Sequence, residues 1–166
     1  MEEFLSMLKT HGVELLVDVR TVPRSRHNPQ FNSDVLPRSL AGEAIRYAHM
    51  PGLGGLRHAR KDSLNTGWKN LSFRGYADYM LTGEFVENLR KLAELDRGCR
   101  TAIMCAESVP WRCHRSLIAD ALTIRGIAVN HIMSETKANP HRLTAFADVD
   151  GDRITYPAES LHLFNT

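Results

Sequence analysis

The sequence predicts an α/β fold, a three-layer α/β/α domain with a largely parallel sheet. Two short runs, residues 13–19 and 101–105, are almost continuously apolar, as strands buried on both faces of a parallel sheet are. Apolar residues at helical spacing occur over 85–95 and 117–122. Segments of strand type and helix type therefore alternate, which is the pattern of a parallel sheet with crossover helices.

The chain is predicted to begin with a helix followed by a strand. Apolar side chains recur at helical spacing from Phe4 onward, and Gly12 suits a helix C-terminus, where positive φ is favoured. Residues 2–11 are therefore predicted as a helix. The strand over 13–19 comes next, and Asp18 interrupts its apolar run near the C-terminal end.

The region from residue 21 to residue 75 is predicted to be mostly irregular. Within it, residues 36–44 have the apolar spacing of a helix, and residues 45–49 alternate like a short strand. Interleaved aromatic residues favour an ordered covering layer over a disordered loop. Long regular elements are interrupted by Pro23, Pro29, Pro37, Pro51, Gly52, Gly54 and Gly55.

Regular structure is predicted to return at residue 76 and to continue to the C-terminal part. A helix containing Tyr79 and Met80 comes first, and a second helix over the stripe 85–95 is closed by Gly98. The strand over 101–105 follows it.

The last third of the chain is predicted to continue the alternation. Residues 116–125 carry one apolar face and stop at Gly126, as a helix does. Residues 127–133 are interpreted as a further strand of the sheet, which brings His131 to its end. Residues 148–156 indicate a terminal hairpin or a strand that faces a partner.

Composition favours one soluble domain. With 166 residues, 43% of them apolar, the chain can bury one sizeable core, so we expect a single domain over 1–166 with a loose tail at 158–166. A net charge of +2 excludes a general polyanion binder. Three cysteines form no disulfide framework and suit a reducing compartment. The sequence shows no signal peptide and no long apolar run, so we expect a cytoplasmic protein with no membrane partner.

Polar side chains follow three predicted strands. Asp18 and Arg20 stand at the end of the first, Glu107 follows the second, and His131 ends the third. In an open parallel sheet, ligands bind beyond the C-terminal ends of the strands. The sequence therefore predicts a functional site at this edge of the sheet.

Residues 104–115 carry the densest group of reactive side chains, with two thiols, a carboxylate, an imidazole, an indole and two guanidinium groups. Ser108 is predicted as a helix N-cap with Pro110 in the first turn, an end that attracts anions. Arginines near it would bind phosphate or carboxylate and would lower the pKa of a thiol. They are Arg20, Arg24, Arg26, Arg112 and Arg115.

Structural interpretations stay open beside the functional one. Cys105 suits a small core residue, and Cys105, Cys113 and His114 are metal-ligand types without the paired spacing of a zinc finger. A thiol-phosphatase loop, in which five residues separate a cysteine from an arginine, is a further alternative. Here six residues separate Cys105 from Arg112, and the glycines that let such a loop curl are absent. Asp18 and Glu107 are equally well explained as ion-pair partners of arginines.

Several separated motifs occur in a fixed order along the chain. They are Asp18-Val19-Arg20, Pro23, Ser25, Arg26, Phe31-Asn32, Tyr47, Leu53-Gly54-Gly55, Tyr76, Cys105-Ala106-Glu107, Cys113-His114-Arg115 and His131. Together they resemble the DUF488 family of small bacterial and archaeal proteins over residues 2–157. The resemblance implies a single α/β domain in which these residues form a shared site, and it implies no function. Family members commonly carry an extra first strand with a Thr-Ile-Gly-His-Ser-like motif, and without it we expect an exposed sheet edge.

The leading hypothesis is an enzyme-like domain that binds a phosphate-bearing ligand, a nucleotide or a nucleic-acid end. Its predicted catalytic residues are Asp18, Glu107, Cys113 and His114. Its predicted ligand-binding residues are Arg20, Ser25, Arg26, Tyr47, Arg112, Arg115 and His131. One alternative is a non-catalytic module that binds nucleic acid or protein through the basic loop 24–32. Another is a structural metal protein with Cys105, Cys113 and His114 as ligands, and the sequence identifies no cofactor, reaction or oligomeric state.

Overall fold

Three parallel strands form the central sheet. The computed structural model describes residues 1–159. In it, β1 (Leu15–Asp18) lies between β2 (Arg46–His49) and β3 (Thr101–Met104), and it pairs in parallel with both. The predicted α/β class is confirmed. Residues 160–166, which hold most of the predicted loose tail, lie outside the described residues.

Five α-helices accompany the strands within the described part of the chain. They are α1 (Glu2–Thr10), α2 (Leu36–Ala41), α3 (Leu71–Tyr79), α4 (Gly83–Gly98) and α5 (Arg115–Thr123). The α3 helix begins before residue 75, where irregular structure was predicted to end. Its start is capped by Asn70, whose side-chain oxygen accepts hydrogen bonds from the backbone N–H groups of Ser72 and Phe73. No helix within residues 1–159 combines the length and the apolar character that crossing a bilayer requires.

Hydrophobic side chains form two buried clusters, one on each face of β1. Leu15 and Val17 belong to a cluster with residues of α3, α4 and α5. Leu16 belongs to a second cluster with residues of α1 and α2. Successive side chains of a strand point to opposite faces of the sheet, so the two clusters lie on opposite sides of it. This distribution is compatible with the three-layer arrangement, which stays a prediction.

Two antiparallel hairpins complete the described chain. They are β4 (Asn130–Ser134) with β5 (Lys137–Pro140), and β6 (Asp148–Asp150) with β7 (Arg153–Thr155). The second is one of the two alternatives predicted for 148–156. The prediction that 127–133 joins the parallel sheet is wrong, because β4 pairs with β5 instead. α5 precedes β4, as a crossover helix would, but the chain turns back directly after β4 and β5 takes up its hydrogen bonds as an antiparallel partner.

Candidate functional site

A cleft of about 860 Å³ opens where β1 and β3 end. Its position agrees with the sheet edge at which a site was predicted. A volume of this order accommodates a small-molecule ligand. Of the predicted site residues, the cleft is lined by Arg20, Ser25, Glu107, Arg112, Cys113, His114 and Arg115.

Asp18 lies beneath this cleft and holds Arg20 in place. Its carboxylate is fully buried and accepts from Arg20 Nε at 2.8 Å and from a terminal guanidinium nitrogen at 2.5 Å. Tyr47 Oη donates to the same carboxylate at 2.8 Å. Burial alone would raise the pKa of Asp18, but the hydrogen bonds from Arg20 and Tyr47 outweigh it and keep this pKa below its usual range. Asp18 therefore positions Arg20, and Tyr47 positions Asp18.

The Arg20 guanidinium has a further partner that fixes the basic loop. It donates to the carbonyl oxygen of Phe31 at 2.7 Å. Within the loop, the Ser25 N–H donates to the Asn32 side chain at 2.6 Å, and Ser25 Oγ accepts from the Asn28 N–H at 3.1 Å. The loop 24–32 is thus folded against the end of β1, as an ordered covering layer would be.

Cys113 is the most buried reactive group of the cleft, with 3% of its surface exposed. Its Sγ accepts from the backbone N–H and from Nε of Arg115, both at 3.4 Å, and lies 3.7 Å from His114 Nδ1. The pKa of Cys113 is lowered, first by a hydrogen bond from Cys105 and then by His114 and Arg115, against the effect of burial. The pKa of Cys105 is raised because it shares this hydrogen bond and is partly buried.

His114 is held on three sides. Its Nε2 lies 3.3 Å from the carbonyl oxygen of Val19, and its ring packs on Tyr76 with 5.0 Å between ring centroids. A Cβ on Gly55 would lie 2.6 Å from His114 Nδ1, closer than any side chain can approach without movement. Glycine at this position therefore allows the loop to approach the imidazole.

The arginines of the cleft fall into two groups. Arg115 is engaged, because it donates to Cys113 and to the backbone carbonyl of Glu107. Arg24 and Arg112 are exposed, line the cleft and donate no side-chain hydrogen bond to any residue within 1–159. Arg26 is also exposed but lies outside the set of residues that line the cleft.

The turn between β3 and α5 differs from the prediction. Ser108 is not an N-cap. Residues Pro110–Arg112 form a single 3-10 turn that begins after Val109, and α5 begins only at Arg115. The chain bends between the two because Cys113 is extended, with φ −131° and ψ 146°. Cys113 is thereby turned inward, beside Cys105 at the end of β3.

Glu107 is exposed and lines the cleft. Its backbone N–H donates to Cys105 Sγ at 3.3 Å, whereas its carboxylate forms no ion pair within the described residues. Arg115 binds the main chain of Glu107 instead. The side chain is therefore available to a ligand or a proton.

His131 lies on β4 and lines a second cavity of about 550 Å³ between β3 and β4. Its Nε2 is 2.8 Å from His141 Nδ1, and His141 Nε2 is 2.7 Å from an oxygen of the fully buried Asp120. Burial first, and then the charges of His141 and Arg115, lower the pKa of His131. The expected meeting of His131 with Asp18 and Glu107 is not found, because β4 does not belong to the parallel sheet.

Comparison with known proteins gives one result. A family model described as domain of unknown function DUF488 matches residues 1–122. The chain belongs to the DUF488 family. The match covers all three strands of the central sheet and the Cys105 to Arg115 segment, and it ends before His131. Neither the search of curated proteins nor the search of solved structures found a match.

Sequence reasoning missed two polar residues of this DUF488 protein. Asp120 and His141 connect α5 to the chain after β5, and neither was proposed for any role. Asp120 could have been found, since it is a single carboxylate within an otherwise apolar stretch of α5, the pattern of a buried and hydrogen-bonded acid. His141 follows a strand of unremarkable composition, and nothing near it in the sequence indicates its partner.

Proposed function

We propose that this DUF488 protein is an enzyme-like domain that binds a phosphate-bearing ligand, a nucleotide or a nucleic-acid end, in the 860 Å³ cleft. One observation carries the proposal. Arg24 and Arg112 line the same cleft as Cys113, His114 and Glu107, and their guanidinium groups have no partner within residues 1–159. Such groups bind phosphate in pairs of parallel hydrogen bonds.

Each remaining residue has a distinct role in this proposal. Arg20 and Arg115 are fixed by protein partners and contribute positive charge and their remaining N–H donors. Glu107, an exposed residue of the cleft whose carboxylate forms no ion pair within residues 1–159, exchanges a proton with the ligand. Asp18 and Tyr47 act through Arg20, as positioning residues. Ser25 shapes the loop that carries Arg24.

The test is a binding measurement with matched probes. Adenosine 5′-monophosphate and a 5′-phosphorylated trinucleotide are titrated into the full chain by calorimetry, with adenosine and the unphosphorylated trinucleotide as controls. A charged hydrogen bond contributes about 1.5–3 kcal/mol, so Arg112→Ala and Arg24→Ala should each weaken binding about tenfold or more. Arg97→Ala, an exposed arginine in the last turn of α4, should leave affinity unchanged.

Two results would contradict the proposal. Equal binding of the phosphorylated and unphosphorylated probes would show that the phosphate is not recognised. Unchanged affinity in both Arg112→Ala and Arg24→Ala would show that these arginines do not bind it. Glu107→Gln separates binding from chemistry, since it should leave the affinity for adenosine 5′-monophosphate intact.

A second candidate is a non-catalytic module that uses the loop 24–32 to bind nucleic acid. It is favoured by the exposure of Arg26 and His27, on the part of the loop that does not line the cleft. Binding of this kind weakens steeply with salt and needs neither Cys113 nor Glu107. Loss of oligonucleotide binding in Arg26→Ala, but not in Arg112→Ala, would select this candidate.

The proposal also covers the domain organisation, which is a single three-layer α/β/α domain over 1–166, of which the structure describes residues 1–159. The two hydrophobic clusters on opposite faces of β1 support the layers. The bonds from Asp120 to His141 and Tyr156, which join α5 to the C-terminal segments, support a single unit.

A further inference from the structure

Three soft or borderline ligand atoms meet at the floor of the cleft. Cys105 Sγ, Cys113 Sγ and a ring nitrogen of His114 lie within 4.8 Å of one another. Cys105 comes from the end of β3, whereas Cys113 and His114 come from the bend before α5. Two thiols and one imidazole are a ligand set that suits zinc.

The orientation of His114 is fixed in the way that metal-binding histidines are. The carbonyl oxygen of Val19 can only accept, so the proton of the neutral ring is on Nε2, which lies 3.3 Å from it. In this tautomer Nδ1, 3.7 Å from Cys113 Sγ, carries no proton, so its lone pair is available to an ion bound beside that sulfur. A histidine that donates its outer N–H to a backbone carbonyl and turns the other nitrogen to a metal is the usual arrangement.

The distance between the sulfur of Cys113 and the ring nitrogen of His114 is compatible with one tetrahedral ion, whereas the three donors together lie within 4.8 Å and must draw closer around it. With Zn–S about 2.3 Å and Zn–N about 2.1 Å, two ligands of a tetrahedral site lie about 3.6 Å apart. The observed 3.7 Å between Cys113 Sγ and His114 Nδ1 agrees with this value. The absent side chain of Gly55 leaves space beside Nδ1, since a Cβ there would be 2.6 Å away.

We infer that Cys105, Cys113 and His114 bind one zinc ion, with the fourth coordination position open to the cleft. Both sulfurs coordinate as thiolates, so each thiol proton that is still bound is released to solvent when the ion binds. Three protein ligands and one open position are typical of catalytic zinc sites, whereas structural sites are closed by four. All three residues line the cleft, so the open position faces the place proposed for the phosphate-bearing ligand.

The test uses Co²⁺ as a spectroscopic substitute for zinc. The full chain is reduced, stripped with a chelator, freed of it, and titrated with Co²⁺ and then Zn²⁺. We expect one Co²⁺ per chain, with a thiolate-to-cobalt charge-transfer band and visible bands of a tetrahedral ion, both removed by one equivalent of Zn²⁺. Cys99→Ser is the matched control, because Cys99 is a free cysteine that does not belong to the cluster, and its spectrum should equal that of the wild type.

Cys113→Ser and Cys105→Ser each remove one of the two thiolate ligands, so each should reduce the intensity of the charge-transfer band, and the double variant should abolish it. Each single variant should also weaken metal binding by more than about 10–100-fold, the loss typical of a residue outside the ligand set. Far-ultraviolet circular dichroism of each variant verifies that it is folded. Arg112→Ala should bind Co²⁺ as the wild type does, so failure of the phosphate proposal and failure of the zinc site are distinguishable.

Three results would overturn the inference. The first is the absence of stoichiometric Co²⁺ or Zn²⁺ binding by the reduced wild-type chain. The second is a charge-transfer band whose intensity is undiminished in both Cys113→Ser and Cys105→Ser. The third is rapid alkylation of Cys113 by iodoacetamide that added Zn²⁺ does not slow, which would mark a thiolate paired with protonated His114 in place of a metal ligand.

Discussion

Replacement of Asp18 by Asn tests whether the buried ion pair under the cleft holds the site together. The substitution keeps the volume and removes the charge that faces Arg20, of which 7% is exposed. Breaking one side of a buried pair costs about 3–5 kcal/mol, because the remaining charge stays buried without compensation. For a chain of this size, each kcal/mol lowers Tm by about 2–4 °C, so Tm should fall by about 6–20 °C.

The pH dependence of the same variant gives a second readout. Because the folded pKa of Asp18 is below its ordinary value, its stabilisation is complete above the unfolded pKa of about 3.9 and is lost as pH falls through the folded pKa. The difference in unfolding free energy between wild type and Asp18→Asn should therefore be constant near neutral pH and should shrink below about pH 4.

Urea unfolding followed by circular dichroism measures both effects. Asp62→Asn is the control, since Asp62 pairs with Arg60 on the surface, where both side chains are mostly exposed, and it should leave stability unchanged. If Asp18→Asn loses less than about 1 kcal/mol, or if its loss does not shrink in acid, the carboxylate does not stabilise the fold through its ion pair with Arg20.

Two further predictions concern packing around the site. Gly55→Ala should weaken Co²⁺ binding and lower the unfolding free energy by about 1–3 kcal/mol, because the new methyl group would displace His114. Gly98→Ala is the control and should change neither quantity, since the space around Gly98 is open. Equal effects of the two substitutions would contradict the prediction. Tyr156→Phe should lower the free energy of unfolding in urea by about 1–3 kcal/mol, since it removes a buried hydroxyl that donates to Asp120 at 2.8 Å. An unchanged free energy would show that the hydrogen bond from Tyr156 to Asp120 does not stabilise the fold.

The fold was predictable where periodicity is strong. The apolar spacing of residues 2–11 and the stripe at 85–95 correspond to α1 and α4, and the run at 13–19 contains β1. Residues 127–133 were misplaced, because an apolar run has the same pattern in a hairpin as in a parallel strand. Only the return of the chain to β5 distinguishes the two.

The candidate site was predictable in part, through the polar groups that follow β1 and β3. These lie in one cleft because the two strands are neighbours and parallel. The roles of the individual residues of the cleft were not predictable, since the sequence does not indicate that Asp18 is buried beneath Arg20 or that Cys113 turns inward. The burial of Asp18 depends on its contacts with Arg20 and Tyr47, and the inward turn of Cys113 depends on the bend between residues 112 and 115; no local pattern specifies either.

Asp120 has a consequence for the cooperativity of the molecule. Its carboxylate accepts from Thr144, Tyr156 and His141, all in the part of the chain that follows the family match. Opening of the terminal segments would leave a buried carboxyl group of α5 without partners, a penalty that couples their opening to that of the helix. We therefore expect the two hairpins and α5 to open as one unit, with amide hydrogens that exchange at a common rate.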